Sequence, residues 1–319
     1  MVRNVMVSEA QDAVLFDLGQ IVEDLAEVRR DWRRSQGVTA EAGGRELPSR
    51  EQIAGIMEGL RGALFPMRLG PPDLQPETEN GYVSHTLDTV LHDLLAQVKL
   101  ELQWAVRHVG QDLPDPDAAA LQITRSFAAA LGDIRRLLDS DIVAAFAADP
   151  AARSADEVLL CYPGIQCMIH HRIAHRLYRL GAPLLARLIA ELAHSATGID
   201  IHPGAEIGGS FFVDHGTGVV IGATAIIGER VQLFQAVTLG AKSFPTDASG
   251  AAIKGLPRHP IVEDDVVIYS GATILGRVTI GQGAVIGGNV WITEDVAAGA
   301  MVSQARLTGV ERQVVRISA

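Results

Sequence analysis

The chain has 319 residues, a formal net charge of −11, 48% hydrophobic residues and 5% aromatics. The length suits one large or two ordinary domains, and the hydrophobic content excludes a disordered chain. The acidic balance speaks against a general nucleic-acid binder and leaves any anionic ligand dependent on a local basic patch.

No apolar run is long enough to cross a membrane, and the N-terminus lacks an apolar secretory core. The two cysteines, Cys161 and Cys167, make no disulfide framework. The expectation is a cytoplasmic protein with free thiols that serve packing.

Residues 1–46 predict a helical arm, amphipathic from about Val7 to Arg34. Ser49 can cap a helix that runs to about Leu64, where Pro66 stops it. A loop follows from Gly70 to Gly81. Leu87, Leu91, Leu95, Val98, Leu102 and Val106 then keep one face of a long helix that ends before Gly110. Pro114 and Pro116 open the next, with Phe127, Leu131, Ile134, Leu138 and Ile142 inward. Asp149-Pro150 breaks the chain. Two further helices cover Ile165–Leu180 and Leu184–His194. His171 and His175 stand four apart on the first of these. That spacing can hold a metal, but no third ligand is evident nearby, and packing is the simpler reading. Residues 47–195 thus form an α-helical domain.

At Thr197-Gly198 the composition changes. Ile201, Ile207, Val213 and Val219 keep a six-residue beat. After a two-residue slip it resumes at Ile221, Ile227, Leu233 and Leu239. It is most regular at Val262, Ile268, Ile274, Ile280, Ile286 and Ile292. Four places after each stands Val266, Ala272, Val278, Ala284, Val290 or Val296. Six is no face-keeping spacing for a helix, but it suits the short strands of a parallel β-helix. The predicted fold is α+β, an all-α domain followed by a β-helix over residues 196–299. A loop at 241–260 interrupts it, and 300–319 form an irregular tail. The loop is basic, through Lys242, Lys254, Arg258 and His259, and too long for a corner; a lid or binding element is expected.

The candidates for chemistry lie beside the repeats: Asp200, His202, Asp214, His215, Arg258 and His259. His215 sits at the slip. Imidazole suits general-base work near neutral pH, and a carboxylate on its far nitrogen would fix the tautomer. Asp200 lies fifteen residues earlier, so three hexads per coil would put the two on neighbouring coils. The alternative is a histidine that packs at a coil junction. His202-Pro203 reads as structural. Arg258-His259, closing the loop, suits a carboxylate or phosphate, or is simply solvated.

The strings DIHPGAEIG (200–208), DHGTGVVIGATAIIG (214–228), QAVTLG (235–240), RHPIVEDDVVI (258–268) and GATILG (271–276) resemble the serine O-acetyltransferases, members of the hexapeptide-repeat acyltransferases. The match covers about 149 to 296, including the helical lead-in DPAARSADEVLLCYPGIQCMIHHRIAHRLY. The resemblance implies a left-handed parallel β-helix, a hand opposite to the usual crossover rule. It implies acetyl transfer from acetyl-CoA to L-serine without a metal, giving the O-acetylserine of cysteine biosynthesis. On the matching positions His215 is the general base and Asp200 its partner. Asp149 and Asp214 hold the serine ammonium, and Arg258 and His259 its carboxylate. Backbone amides near Ala241 and Ser270 meet CoA. The site then lies between subunits of a trimer or dimer of trimers, and cysteine inhibits by mimicking serine.

The chain departs from the family in four places. The loop before Arg258 is long. Ser270 replaces a common alanine. Val285 stands where some members carry a lysine near the CoA phosphates. SQARLTG (303–309) replaces the usual segment after the last coil. Lys242, Lys254 and Arg306 are the substitutes for the phosphate contacts. The tail ends in Ala319, not in the isoleucine with which some members engage O-acetylserine sulfhydrylase, so that complex is not expected.

The sequence leaves three other readings open: another hydroxyl acceptor such as homoserine or a sugar, a non-catalytic pathway scaffold, and a β-helix carbonic anhydrase with zinc on His202, His215 and His259.

Overall fold

The computed structural model describes residues 16–35, 46–243 and 245–304. Nine helices precede fourteen short strands among these residues. Helix α1 spans Leu18–Ser35, and α2 spans Arg50–Leu64. Ser49 caps α2 by accepting the backbone N–H of Gln52, as its residue type predicts. Pro66 does more than stop α2. It opens a one-turn helix, α3 (Pro66–Leu69), because its fixed φ suits a first helical turn. Helix α4 covers Glu79–His108 and buries Val90, Leu94, Val98 and Leu102.

The single helix expected after Pro116 is two, α5 (Pro116–Ala129) and α6 (Leu131–Ala148). No proline causes the break. The Ala130 N–H bonds to the Phe127 carbonyl at 3.0 Å, which tightens the last turn of α5. The Ala130 carbonyl then accepts from Ile134 and starts α6. A short helix not read from the sequence, α7 (Ala155–Cys161), is capped by Ser154. Helices α8 (Pro163–Leu180) and α9 (Pro183–Thr197) complete the set, each ending at a left-handed glycine.

From Asp200 onward the chain winds into three parallel sheets. Face A stacks β1 (Asp200–Ile201), β4 (Val220–Ile221), β7 (Thr238–Gly240), β10 (Thr273–Leu275) and β13 (Trp291–Ile292). Face B stacks β2 (Glu206–Ile207), β5 (Ile226–Ile227), β8 (Ile261–Val262) and β11 (Thr279–Ile280). Face C stacks β3 (Phe212–Val213), β6 (Gln232–Leu233), β9 (Val267–Ile268), β12 (Val285–Ile286) and β14 (Met301–Val302). The result is a left-handed parallel β-helix. Strand β14 lies beyond residue 299, where the repeats were expected to have ended. Met301 and Val302 pair with Val285 and Ile286 and extend face C.

The hexad isoleucines point inward. Ile268, Ile274, Ile280 and Ile286 are completely buried, and so are Val266, Ala272 and Ala284. Each fully buried Ile or Val contributes roughly 1.5–3 kcal/mol by leaving water. The narrow prism admits few rings, which is why aromatics are scarce.

The slip at residue 214 appears in the register. Asp200 pairs with Val220, twenty residues on, whereas Val220 pairs with Thr238, eighteen on. The two extra residues enlarge the corner between β3 and β4. His215, Gly216 and Gly218 all take positive φ there. The loop at 241–260 interrupts the corner between faces A and B, and carries an antiparallel bridge between Thr246 and Ala252.

The helical part is bolted to the first coil. The Arg172 guanidinium donates from Nε and Nη2 to both carboxylate oxygens of Asp141, at 3.1 and 3.0 Å. It also bonds the carbonyls of Ile207 and Gly208. Asp141 accepts the Phe211 N–H at 2.9 Å. Asp141 is completely buried, and burial pushes its carboxyl up while Arg172 opposes that shift. A buried charge is tolerated only when it is paired and bonded this fully. Gly164 in α8 sits against β3, where an added Cβ would lie 2.2 Å from the Val213 carbonyl oxygen.

Candidate functional site

The histidine at the slip is held by its corner. A left-handed φ at His215 lets its side chain leave the prism instead of entering the core. The side chain is 73% exposed. Its Nε2 lies 3.9 Å from Oδ2 of Asp214, which is largely covered.

Asp200 does not sit on a neighbouring coil. It opens the first coil in β1, and His215 stands at the corner that closes the same coil. Fifteen residues are fewer than the eighteen of a regular coil, so the two share a coil with or without the slip. Among the described residues no ion pair within 4 Å joins Asp200 to His215. Asp200 instead faces Glu191 and His194, and their ligand atoms lie within 4.8 Å of one another.

Asp149 reaches the same place from the helical part. It terminates α6, and its carboxylate accepts the Ala151 N–H at 2.8 Å. The Tyr162 hydroxyl donates to its other oxygen. These bonds, the tyrosine first, hold the Asp149 carboxyl below its usual range, and the His215 charge adds a smaller pull. The same bond pushes the Tyr162 phenol up to about 12. Asp149, Tyr162, Asp214 and His215 thus form one polar group where α6 and α8 meet the first coil. Tyr162 was not read from the sequence. A tyrosine before Pro163 carries no signal until the helix that Pro163 opens is placed against β3.

The basic pair stands elsewhere. Arg258 and His259 close the long loop at the edge between faces A and B, whereas His215 is at the edge between faces C and A. The Thr224 hydroxyl oxygen accepts the backbone N–H groups of Arg258 and His259 at 2.9 and 3.2 Å. The Thr224 N–H donates to His259 Nδ1 at 3.1 Å. His259 is buried, and burial, then Arg258 and Arg277, pushes its pKa down to about 4. It is therefore a neutral ring with its proton on Nε2. Gly222 makes room for it, since an added Cβ would lie 2.1 Å from Nε2. Arg277 fastens the strand ends by donating to the His259 carbonyl at 3.0 Å. Arg258 Nε is buried and has no hydrogen-bond partner. Thr224 and Arg277 went unread in the sequence, because only stacked corners bring them to the loop.

His202 lies below this pair on the same edge, its Nδ1 accepting the Gly204 N–H at 2.9 Å. Burial pushes it down to about 4, with help from Arg187, His259 and Arg258. His202 and His259 share an edge that His215 does not, so the three offer no common zinc site. His171 is buried and packs on His175, with ring centroids 5.7 Å apart.

The remaining expected residues divide between the same two edges. Ala241 and Lys242 begin the loop beside Gly276, and Lys254 is exposed within it. Ser270 lies on the His215 edge, two coils higher, and its carbonyl accepts the Asn289 N–H. Coil spacing puts it roughly 10 Å from the His215 corner. Arg306 lies outside the described residues. Cys167 is buried, which pushes its thiol up to about 12, and Cys161 is exposed; both are free. Among the described residues no helix is long and apolar enough to cross a membrane.

A family model described as "Bacterial transferase hexapeptide (six repeats)" matches residues 259–294. The plasmid serine acetyltransferase of Synechococcus elongatus is 58% identical over 82% of this chain and 83% of its own length. The chain belongs to the serine acetyltransferases. Serine acetyltransferase 1 of Entamoeba histolytica, solved in complex with L-cysteine, matches with a TM-score of 0.67 and 37% identity over 80% of this chain and 87% of that one. The soybean serine acetyltransferase complexed with serine matches with a TM-score of 0.51 and 28% identity, over 78% and 95% of the two chains. The members of this family are acyl-CoA-dependent transferases.

Proposed function

We propose that this chain transfers acetyl from acetyl-CoA to the hydroxyl of L-serine, with His215 as the general base. The imidazole takes the hydroxyl proton as the serine oxygen attacks the thioester carbonyl. The tetrahedral intermediate collapses, the carbon–sulfur bond breaks, and the imidazolium returns the proton to the departing thiolate. Asp214 and Asp149 hold the serine ammonium. Arg258 and the Nε2–H of His259 hold its carboxylate. Asp200 is the carboxylate partner of His215. Ala241 and Ser270 offer backbone to CoA, with Lys242, Lys254 and Arg306 near its phosphates.

One observation carries this reading. The carboxylates and the base stand on one edge of the prism and the cationic pair on another, so a single chain cannot close both around one amino acid. A neighbouring copy supplies the missing half. A cyclic trimer brings unlike edges together in each of its seams. The helices run to Thr197, two residues past the expected boundary at 195/196, and the post that builds the seams stands above them.

Thiol release from acetyl-CoA with L-serine, L-homoserine or a sugar as acceptor tests the reaction. Serine is expected to be preferred, and His215→Ala to lose activity by about 10³-fold or more while keeping its fold. Mixing His215→Ala chains with Arg258→Ala chains tests the seam. Random exchange restores about a quarter of the sites if each is built by two copies. No recovery would overturn the shared site.

A further inference from the structure

Helix α1 plays no part in the proposed site, and among the described residues it is the only helix longer than one turn that buries nothing. It runs for eighteen residues and none of them is buried. Asp17 caps it, its carboxylate accepting the Gln20 N–H at 3.3 Å. Leu18, Ile21, Leu25, Val28 and Trp32 are between 44% and 65% exposed. Their spacing alternates three, four, three and four residues, the seam of a coiled coil. Leu18, Leu25 and Trp32 fall at position a, and Ile21 and Val28 at position d.

The pattern specifies its own partner. Leucine at a with β-branched residues at d favours three or four strands over two. Asp24 falls at g and Arg29 at e of the next heptad, the pair that meets across a parallel seam between identical chains. Run antiparallel, the same helices would set Asp24 against Asp31. The outer face is of mixed charge, with Glu23 and Glu27 beside Arg30 and Arg34, so the pair across the seam is what selects the partner.

We propose that the α1 helices of three copies of this chain zip into a parallel coiled coil. The count of three rests on the trimeric seam proposed above. An isolated helix of this length is marginal in water. Three copies held on one trimer raise the local concentration of each arm to about the millimolar range, which compensates for the short seam. The ten residues 36–45 separate α1 from the helical part; fully extended, they reach about 35 Å. The arm thus adds a second, independent tie between the copies that share the catalytic seams.

Cysteine pairing in the full-length chain tests this. Cys161 is first replaced by Ser, which leaves only the buried Cys167. Leu25→Cys in that background is expected to give covalent dimers on mild oxidation, since identical a positions face one another. Glu23→Cys, two residues away on the outer face, is expected to give none. Equal pairing at both positions, or none at either, overturns the proposal, as does pairing of Leu18→Cys chains with Trp32→Cys chains, the antiparallel result. As a second measure, Leu25→Asp should raise the half-dissociation concentration in sedimentation at least ~10-fold, with specific activity at high concentration unchanged. Unchanged dissociation also overturns it, and so does a shift of the wild-type arm onto anionic vesicles without pairing. Recovery of activity in mixed His215→Ala and Arg258→Ala chains is independent of the arm, so the two proposals fail separately.

Discussion

The Thr224 backbone N–H donates to Nδ1 of His259, and the Thr224 hydroxyl accepts from the His259 N–H. One threonine thus fixes both the ring and the backbone of the residue that ends the long loop. The ring is neutral, and its remaining N–H takes no part in these two bonds.

Thr224→Val keeps the shape and removes the hydroxyl that receives two backbone donors. The loop end loosens and, on the proposed reading, the serine carboxylate loses an ordered partner. The expected result is a rise of about 10-fold in KM for serine with little change in kcat, read in steady-state thiol release. Gly222→Ala, which drives a methyl into the His259 ring, should raise KM for serine more than KM for acetyl-CoA. If both constants stayed at wild-type values, His259 would not be a serine contact.

Tyr162→Phe deletes the strongest bond to Asp149. KM for serine should rise about 5-fold. Asp149 is held below the usual carboxylate range mainly by this bond, so without it the carboxyl takes up a proton at higher pH. The acid limb of kcat/KM is therefore expected to move toward neutral pH. An unshifted limb would remove Asp149 from serine binding.

His202 and His259 are both pushed down to about 4 by burial. In the unfolded chain a histidine titrates near 6.5. The unfolded state therefore takes up protons first as pH falls. The stability these neutral rings allow is complete above about pH 6.5 and is lost progressively toward about pH 4. Thermal melts across that window should show the loss. The double variant His202→Asn, His259→Asn should show a shallower slope, and an unchanged slope would contradict buried neutral rings.

Asp141→Ala leaves Arg172 charged and buried at the joint between the helices and the first coil. Breaking such a pair costs about 3–5 kcal/mol. The melting temperature should fall by on the order of 10 °C. Replacing both partners with apolar residues, Asp141→Leu with Arg172→Met, should recover most of the loss. Equal losses in the single and double variants would show that the carbonyl bonds of Arg172, and not its charge pair, hold the joint.

Periodicity alone determined the β-helix, because Val262 to Val296 repeats at six and no helix keeps a face at that spacing. It also located the slip at His215 and the loop before Arg258, since an interruption is visible wherever the rule around it is strict. The helices were legible from their caps and apolar faces. The break at Ala130 was not, because no residue type marks a turn that tightens through one hydrogen bond. Strand β14 was missed because one short pair beyond the last hexad gives no repeat to recognise. Only the tertiary structure set Asp149 and Tyr162 beside Asp214 and His215, by packing α6 and α8 on the first coil. It set Asp200 against Glu191 and His194 and not against His215. It also put Arg258 and His259 on a different edge from the base. Which edge of a prism a residue occupies depends on how coils stack, and linear spacing does not record that.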